Sequence, residues 1–453
     1  MKRGSCGMRV SVVGLGKLGL CTAACFASKG HQVIGVEKNL EYVHALKNKQ
    51  APIDEEGLPE LLEQAWGNLE ITTDINIATL HSDITLIIVP TPSDSDGRFT
   101  NRFINAVLEE IAPAIRSKDT YHIINVVSTV MPGSSDQQFI PFIESLTGKQ
   151  VNEEFGFAYN PEFIALGTVI KNFMNPDMVL IGASDSRTAD FIKHLYETTI
   201  DNQPHYNVMT LVNAEITKLS LNCYVTMKIS FANELASICE RVNGADIDVV
   251  TQAVGTDSRV GRKYLSGGLG FAGPCFPRDN IAFQAFAEEF GSEARIGKQV
   301  VAINHNVVDR IMNIVRERIS PRGKVSILGL SYKPGTHIIE ESQSIQLAKK
   351  LLDSGYKVVL SDPKALPFAT KVFGEAVEYK LNPYECVAEA AGVIIMTNWP
   401  EFTQLDWNRV SELMLTDAVL MDSWRMLKDK QLKNVQYIAL GLGRIEQEKL
   451  KTY

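Results

Sequence analysis

The sequence predicts an α/β fold in which two doubly wound parallel sheets are separated in the chain by a helical segment. Two strand-turn-strand patterns indicate the sheets, MRVSVV with HQVIGVE near the beginning and KVSILGL with YKVVLSDP in the last third. The stretch from Leu211 to about Asn243 lacks glycine and proline and has the length of one long helix. With 453 residues, 45% of them hydrophobic, the chain should divide into two or three domains.

The first sheet begins with a βαβ unit. Met8 to Val13 is predicted as a strand, GLGKLG as a turn, Leu20 to Lys29 as a helix and His31 to Glu37 as the second strand. The apolar runs ITLIIVP, near Pro90, and YHIINVV, near Val127, are short and continuous. Such runs are typical of parallel strands that are covered on both faces.

The glycine motif in the first turn indicates a dinucleotide site. In Gly14-x-Gly16-x-x-Gly19 the first glycine permits the tight turn, the second lets backbone approach a pyrophosphate and the third lets the helix pack on its strand. Glu37, 18 residues beyond Gly19, is placed to accept hydrogen bonds from an adenosine ribose and to repel a 2′-phosphate. NAD is therefore predicted, although Lys38 leaves NADP open. A purely structural turn is the alternative.

The later segments complete the predicted architecture. Helical signals resume from Asn280 to Arg318. The strand predicted in YKVVLSDP ends at Asp362, just as the second strand of the first sheet ends at Glu37. We therefore predict two Rossmann-like, doubly wound parallel-sheet domains joined by a helical domain with a long central helix. The predicted domains are residues 1–205 with the dinucleotide motif, the helical residues 206–318 and residues 319–453 with the second sheet.

Composition restricts the function classes. The net charge is −8, and the basic residues form no stripe along the sequence, which argues against nucleic acid as a partner. Seven cysteines without CxxC pairs or zinc spacing indicate no metal site and a reducing compartment, and Cys21 and Cys25 are predicted as packed core residues. No stretch approaches the roughly 20 apolar residues of a membrane helix. A cytoplasmic protein without a membrane partner is expected.

A cysteine and two helical polar residues suggest covalent chemistry. Cys275 in GPCFPRD follows a glycine-rich loop and precedes a helix, where a cysteine can act as a thiolate nucleophile or simply pack. Lys218 and Asn222 lie at i and i+4, so they project from one helix face, either toward a substrate or into solvent. Glu162 in NPEF and Thr129 in STVMPG each follow a predicted strand, and Glu162 is a candidate base or an ordinary loop carboxylate.

These motifs together resemble the UDP-glucose/GDP-mannose dehydrogenase family, from about Met8 to about Gly443. The resemblance implies a homodimer formed through the long helix, with NAD in the first domain and the nucleotide in the last. It gives Cys275 the nucleophile role, Asp279 and Asn222 the ordering of water, and Lys218 the oxyanion contact. Thr129 and Glu162 match positions around the hydrolytic water.

The same resemblance implies further ligand contacts. Thr91 and Thr129 are expected beside the cofactor. Arg259 would reach the site of the partner subunit, and Tyr264 would lie beside the nucleotide. The full set of expected substrate contacts is Phe163, Lys218, Asn222, Arg259, Tyr264, Gly270, Lys333 and Arg425.

Several positions depart from the family pattern. Leu166 stands where many members have a second glutamate, and Ala272 and Pro274 replace a glycine and a serine beside the nucleophile. Glu340 replaces an arginine that approaches cofactor phosphate, which reverses the charge. Arg425 lies one residue later than its family counterpart.

The resemblance implies a four-electron oxidation of a sugar C6 alcohol to a carboxylate through a thioester on Cys275, with UDP-glucose as the favoured substrate. UDP-N-acetylhexosamines, TDP-glucose and GDP-mannose are alternatives, since pocket shape selects the sugar. A two-electron 3-hydroxyacid dehydrogenase shares the helical lysine and asparagine but lacks the cysteine motif. A catalytically silent nucleotide-sugar binder is the remaining alternative.

Overall fold

The computed structural model describes residues 7–164 and 167–443, which form two compact units divided between Ser220 and Leu221. The departure at Leu166 lies outside the described residues. The division into three domains at residues 205 and 318 stays a prediction.

The first unit is built on one eight-stranded sheet. Its strands are β1 (Arg9–Val13), β2 (Gln32–Val36), β3 (Leu69–Thr72), β4 (Ile84–Ile87), β5 (His122–Val126), β6 (Phe155–Tyr159), β7 (Met178–Ala183) and β8 (His205–Met209). They follow the order β3-β2-β1-β4-β5-β6-β7-β8, and every pair is parallel except β6 with β7. Strands β4 and β5 are buried throughout, as their continuous apolar runs predicted.

Helices cover both faces of this sheet in the manner of a doubly wound fold. They are α1 (Lys17–Ser28), α2 (Leu40–Lys47), α3 (Leu58–Ala65), α4 (Ile75–Leu80), α5 (Arg102–Ser117), α6 (Ile140–Thr147), α7 (Val169–Met174) and α8 (Ser186–Glu197), with a π-helical turn at Ser135–Phe139. Helix α1 begins at Lys17 rather than at the predicted Leu20, because Gly16 is its N-cap and the glycine motif itself forms the first turn. Cys21 and Cys25 are fully buried in it, which confirms their core role.

The predicted long helix is α9 (Leu211–Cys239), which has 29 residues and passes from the first unit into the second. It ends four residues before the predicted Asn243, and the chain then turns toward Gly244, whose φ of 77° is open mainly to glycine. Across the residues that the structure describes, no helix combines the length and the apolar character needed to cross a membrane.

The second unit continues with three helices, α10 (Ile247–Thr256), α11 (Phe276–Glu289) and α12 (Arg295–Arg318). The helical signal predicted from Asn280 to Arg318 is thus two helices, separated near Gly291, which has a φ of 71°. The last sheet has the strands β9 (Lys324–Leu328), β10 (Lys357–Ser361), β11 (Glu378–Tyr379), β12 (Gly392–Ile395), β13 (Ala418–Asp422) and β14 (Val435–Ala439). The remaining helices are α13 (Gln343–Asp353), α14 (Leu366–Phe373), α15 (Pro383–Val387), α16 (Pro400–Thr403) and α17 (Trp407–Leu413).

The last sheet is parallel throughout and follows the order β11-β10-β9-β12-β13-β14. This is the strand order of the first six strands of the other sheet, so the fold class predicted from the sequence is confirmed. In both sheets, the acid after the second strand accepts a hydrogen bond from the backbone N–H that follows the first turn glycine. Glu37 accepts from Leu15 at 2.9 Å, and Asp362 accepts from Leu330 at 2.7 Å.

Candidate active site

The glycine turn between β1 and α1 has the shape that a dinucleotide requires. A Cβ on Gly14 would lie 2.3 Å from the carbonyl oxygen of Ile88, and a Cβ on Gly19 would lie 1.9 Å from that of Gly14. By contrast, a Cβ on Gly16 would meet no atom within 4 Å. Gly14 and Gly19 therefore permit tight packing, whereas Gly16 keeps open space at the N-terminus of α1, where a pyrophosphate is favoured.

Glu37 lies half-buried at the end of β2. Its two carboxylate oxygens accept backbone hydrogen bonds from Leu15 and Asn39, both at 2.9 Å. Each oxygen keeps acceptor capacity for a ribose hydroxyl, because a carboxylate oxygen has two lone pairs. The Nζ of Lys38 is paired with Glu110 on the surface, so its charge is already matched by a carboxylate. These residues fit NAD.

The second and third glycines of the motif give a matched pair of substitutions. We expect Gly16→Ala to retain the wild-type melting temperature but to weaken NAD binding, because its methyl group would occupy the open space. Gly19→Ala should lower the free energy of unfolding by about 1–3 kcal/mol or more through overpacking. Calorimetric titration with NAD and thermal melting separate the two effects. Normal NAD affinity in Gly16→Ala would contradict this role.

The loops after β4 and β5 meet each other within the first unit. The hydroxyl of Thr91 donates to the carbonyl oxygen of Thr129 at 2.7 Å, and the hydroxyl of Ser128 donates to that of Val89 at 2.7 Å. Thr129 is half-buried and Thr91 is buried. The structure therefore brings together the two threonines predicted beside the cofactor.

A buried carboxylate that sequence reasoning missed holds the loop after Thr129. Glu215 on α9 is fully buried and accepts hydrogen bonds from the backbone N–H groups of Gly133 and Ser135. Burial raises the pKa of Glu215 to about 7. The sequence offered no signal beyond a charged residue in a helix, since both donors lie about 80 residues earlier.

Glu162, Phe163 and Lys218 form one cluster. The Nζ of Lys218 donates to the backbone carbonyl oxygen of Glu162 at 2.6 Å and lies 4.5 Å from the centre of the Phe163 ring. The Glu162 carboxylate accepts a hydrogen bond from the phenol of Tyr196. Burial raises the pKa of Glu162 to about 7, against the opposing effects of Tyr196 and the charge of Lys218. A carboxylate with this pKa is suited to general base catalysis near neutral pH.

Asn222 and Asp279 are in direct contact in the second unit. The Nδ2 of Asn222 donates to the Oδ2 of Asp279 at 2.6 Å, and both residues are buried. Helices α9 and α11 are also joined by Thr226 and Asn280, whose side chains are 2.9 Å apart. Two buried polar pairs between these helices fix the first turn of α11. The two residues predicted to order water therefore hold one another in place.

Cys275 is exposed at the N-cap of α11, with Asp279 in the first turn of that helix. The unsatisfied N–H groups of a helix N-terminus favour negative charge, and thus a thiolate. Burial raises the pKa of Cys21, Cys223 and Cys386 to about 12, so these thiols stay protonated. Of the six cysteines that the structure describes, Cys275 is the exposed one. Its position fits the nucleophile role.

Three side-chain amides hold the glycine-rich loop before Cys275. Asn233 accepts from the N–H of Gly268 and donates to the carbonyl oxygen of Leu269, at 2.9 and 3.0 Å. Gln343 accepts from the N–H of Gly270 at 2.7 Å, and Asn304 accepts from the next N–H at 2.8 Å. A Cβ on Gly270 would lie 2.0 Å from the Oδ1 of Asn304. Gly270 is thus required for packing. The contacts of the three amides were not predicted from the sequence.

The aromatic and arginine residues expected near the substrate are both accessible. Tyr264 is 49% exposed, has a φ of 63° and packs edge-to-face on Phe276, the residue after the nucleophile. A tyrosine with positive φ is a strained conformation that often marks a functional site. Arg259 is exposed and paired with Asp257 at 2.6 Å. This exposure is compatible with a reach toward a partner subunit.

Lys333 and Glu340, which the sequence singled out in the last third of the chain, differ in their surroundings. Lys333 is half-buried, with its Nζ 5.7 Å from the centre of the Tyr332 ring. Glu340 is exposed, and its carbonyl oxygen accepts from the N–H of Gly273 at 3.1 Å. Glu340 therefore supports the nucleophile loop through its backbone, which any residue could do.

Arg425 is a buried structural anchor. Its guanidinium forms a two-bond pair with Asp248, at 2.9 and 3.0 Å. It also donates to the carbonyl oxygens of Leu440 and Gly267, both at 2.7 Å, and of Ser423 at 3.5 Å. All five N–H groups of an arginine are accounted for by these acceptors. A nucleotide contact by Arg425 stays a prediction that its geometry does not favour.

Three family profiles match the chain in sequence order. The NAD binding domain of the UDP-glucose/GDP-mannose dehydrogenase family matches residues 8–200, its central domain matches residues 212–306 and its UDP binding domain matches residues 326–429. The glycine turn lies in the first segment, Cys275 and all of α9 after Leu211 lie in the second and Lys333 lies in the third.

Individual relatives cover most of the chain. A UDP-glucose 6-dehydrogenase of Haloferax volcanii is 36% identical over 403 residues, which is 88% of this chain and 93% of that protein. A GDP-mannose 6-dehydrogenase of Pseudomonas aeruginosa is 34% identical over 376 residues, 82% of this chain and 84% of that protein. The solved structure of a UDP-glucose dehydrogenase from Pyrobaculum islandicum superposes with a TM-score of 0.88 at 34% identity, covering 98% of this chain and 99% of that one.

Proposed function

Because the chain belongs to the UDP-glucose/GDP-mannose dehydrogenase family, we propose that it oxidises UDP-glucose to UDP-glucuronate through a thioester on Cys275. Membership of this family shows that the protein is an NAD-dependent nucleotide-sugar dehydrogenase. The main observation that supports the thioester route is the exposed thiol of Cys275 at the N-terminus of α11. The buried Asp279 lies in the first turn of the same helix.

The first half of the proposed reaction makes the thioester. Gly14, Gly16, Gly19 and Glu37 would hold NAD, and two NAD molecules in succession would each accept one hydride per sugar. The first hydride would come from the C6 alcohol, whose hydroxyl proton goes to solvent, and the second from the thiohemiacetal. The Cys275 thiolate forms the carbon–sulfur bond to the aldehyde carbon, whose oxygen takes up the negative charge. Lys218 carries the ammonium group that stabilises this oxyanion.

The second half hydrolyses the thioester. Glu162 takes a proton from water as the water oxygen bonds to the carbonyl carbon, and the carbon–sulfur bond then breaks to return the Cys275 thiolate. We assign the ordering of this water to Thr129 and to the Asn222–Asp279 pair, whose 2.6 Å hydrogen bond fixes both side chains. Hydrolysis makes the overall reaction effectively irreversible.

The identity of the sugar is the part of the proposal that needs a direct assay. Relatives of similar identity are named for UDP-glucose and for GDP-mannose, and Ala272 and Pro274 alter the loop beside the nucleophile. We propose UDP-glucose and expect it to give the highest kcat/KM in a screen of NADH release that also contains UDP-N-acetylhexosamines, TDP-glucose and GDP-mannose. A higher value for another member of this panel would replace UDP-glucose as the substrate.

We further propose that the protein is a homodimer formed through α9. Three large apolar side chains on this helix, Tyr224, Phe231 and Ile238, are spaced seven residues apart and are each about half exposed, at 53%, 49% and 51%. A seven-residue apolar repeat is the pattern by which two helices pack together. A second copy of the chain would cover this stripe, and Arg259 would then serve the partner's site.

A charge in the middle of the stripe tests the dimer. Phe231→Asp should convert the dimer to a monomer in sedimentation and light-scattering measurements, because it places a carboxylate in an apolar interface. Leu40→Asp is the control, since Leu40 is 72% exposed on α2 and lies outside the stripe. An unchanged mass for Phe231→Asp would rule out α9 as the interface.

We also propose a cytoplasmic location. The six described cysteines are free thiols, which is usual for proteins of a reducing compartment.

A further inference from the structure

Tyr196 on α8 is a buried phenol that neither the family motifs nor the predicted mechanism include. It is 3% exposed, and its Oη donates to the Oε1 of Glu162. Its ring packs edge-to-face on Phe26, with the ring centres 6.1 Å apart, and against Phe173, with the centres 5.7 Å apart. Because α1 supplies Phe26 and α7 supplies Phe173, three helices hold the phenol in one orientation.

We propose that Tyr196 is the positioning residue of Glu162: its O–H group fixes the carboxylate and favours the ionised form that can accept a proton. A charge-assisted hydrogen bond from a fixed donor stabilises a carboxylate more than it stabilises the carboxylic acid. The consequence for catalysis rests on the proposed function, in which Glu162 is the base that activates water. The effect on the Glu162 carboxyl does not depend on that function.

The other groups near this pair define how large the effect should be. Burial raises the pKa of Glu162 to about 7, while Tyr196 and Lys218 lower it. Cys25 on α1 is a buried thiol whose own pKa is raised by burial, so it stays neutral. Tyr206 on β8 is half-buried and has a raised pKa as well. Among these groups Lys218 is the cation, and Tyr196 donates a hydrogen bond to the carboxylate.

Tyr196→Phe removes the O–H group and keeps the ring, so it tests the inference without opening a cavity. The carboxylic acid band of Glu162, assigned by its loss in Glu162→Gln, can be titrated by difference infrared spectroscopy. We expect the pKa of Glu162 to rise by about one unit in Tyr196→Phe. The acidic limb of the kcat profile should move upward equally, giving about a fivefold loss at pH 7 that recovers at higher pH, with KM for the nucleotide sugar little changed.

Two further variants separate positioning from packing. A ring-fluorinated tyrosine at position 196 is a stronger donor and should lower the pKa of Glu162, a shift opposite to that of Tyr196→Phe. Tyr206→Phe, the control, should leave the infrared titration as in wild type. An unchanged pKa of Glu162 in both Tyr196 variants overturns the inference. A shifted infrared pKa with an unshifted kcat profile supports the positioning role of Tyr196 and instead refutes Glu162 as the base.

Discussion

Cys275→Ala is expected to abolish uronate formation, with a loss of kcat of more than about 10⁴-fold. The alanine side chain has no nucleophile, so the aldehyde formed by the first oxidation is not captured and no thioester can be made. NAD affinity should stay at the wild-type value, because the substitution leaves the glycine turn and Glu37 unchanged. NADH release and uronate production, measured with calorimetric NAD titration, check this prediction.

The control for this substitution is a second cysteine outside the proposed site. Cys239→Ala changes a buried thiol at the end of α9 and should retain wild-type turnover. Cys275→Ser should behave nearly as Cys275→Ala in steady state, since a serine hydroxyl is a weak nucleophile without an activating base. Full turnover by Cys275→Ala would refute the covalent step.

Glu162→Gln should slow thioester hydrolysis by about 10²–10⁴-fold, the usual contribution of a general base. Because attack on the aldehyde and the second oxidation do not need this base, the acyl-enzyme should accumulate and be seen by mass spectrometry as a uronyl adduct on Cys275. In the wild type, hydrolysis should fall as the pH drops below about 7, because burial raises the pKa of Glu162 to about 7 and only the ionised form accepts a proton.

The matched control for the base is Glu197→Gln. Glu197 is on α8 like Tyr196, but it is exposed and pairs with Lys193 on the surface, so its loss should leave hydrolysis unchanged. If Glu162→Gln hydrolyses the thioester at the wild-type rate, the base is a different group. The buried Glu215, whose pKa is also raised to about 7, would then be the next carboxylate to test.

The features that the sequence predicted best are those set by local chemistry. The glycine motif predicted the turn, the start of the first βαβ unit and the position of Glu37, because Gly14 and Gly19 permit tight packing and Gly16 keeps open space at the N-terminus of α1. The length of α9 followed from a run without glycine or proline. Cys275 was expected before a helix and lies at the N-cap of α11, since Pro277 favours a helix start there.

The features that could not be predicted depend on contacts between distant parts of the chain. Tyr196 resembles an ordinary core aromatic in the sequence, and its bond to Glu162 spans 34 residues. The amides of Asn304 and Gln343 lie 33 and 73 residues from the backbone N–H groups that they hold. Arg425 was expected to contact a nucleotide, yet its donors are taken up by Asp248 and three carbonyl oxygens.

The number of NADH molecules formed per sugar is the most direct test of the whole account. A reaction with limiting UDP-glucose and excess NAD, followed by absorbance and by chromatography of the sugar products, gives this ratio. Two NADH per UDP-glucuronate, with no free aldehyde, is the predicted result, because Cys275 would hold the aldehyde for a second oxidation. One NADH per sugar, with an aldehyde or ketone as the final product, would contradict the thioester route.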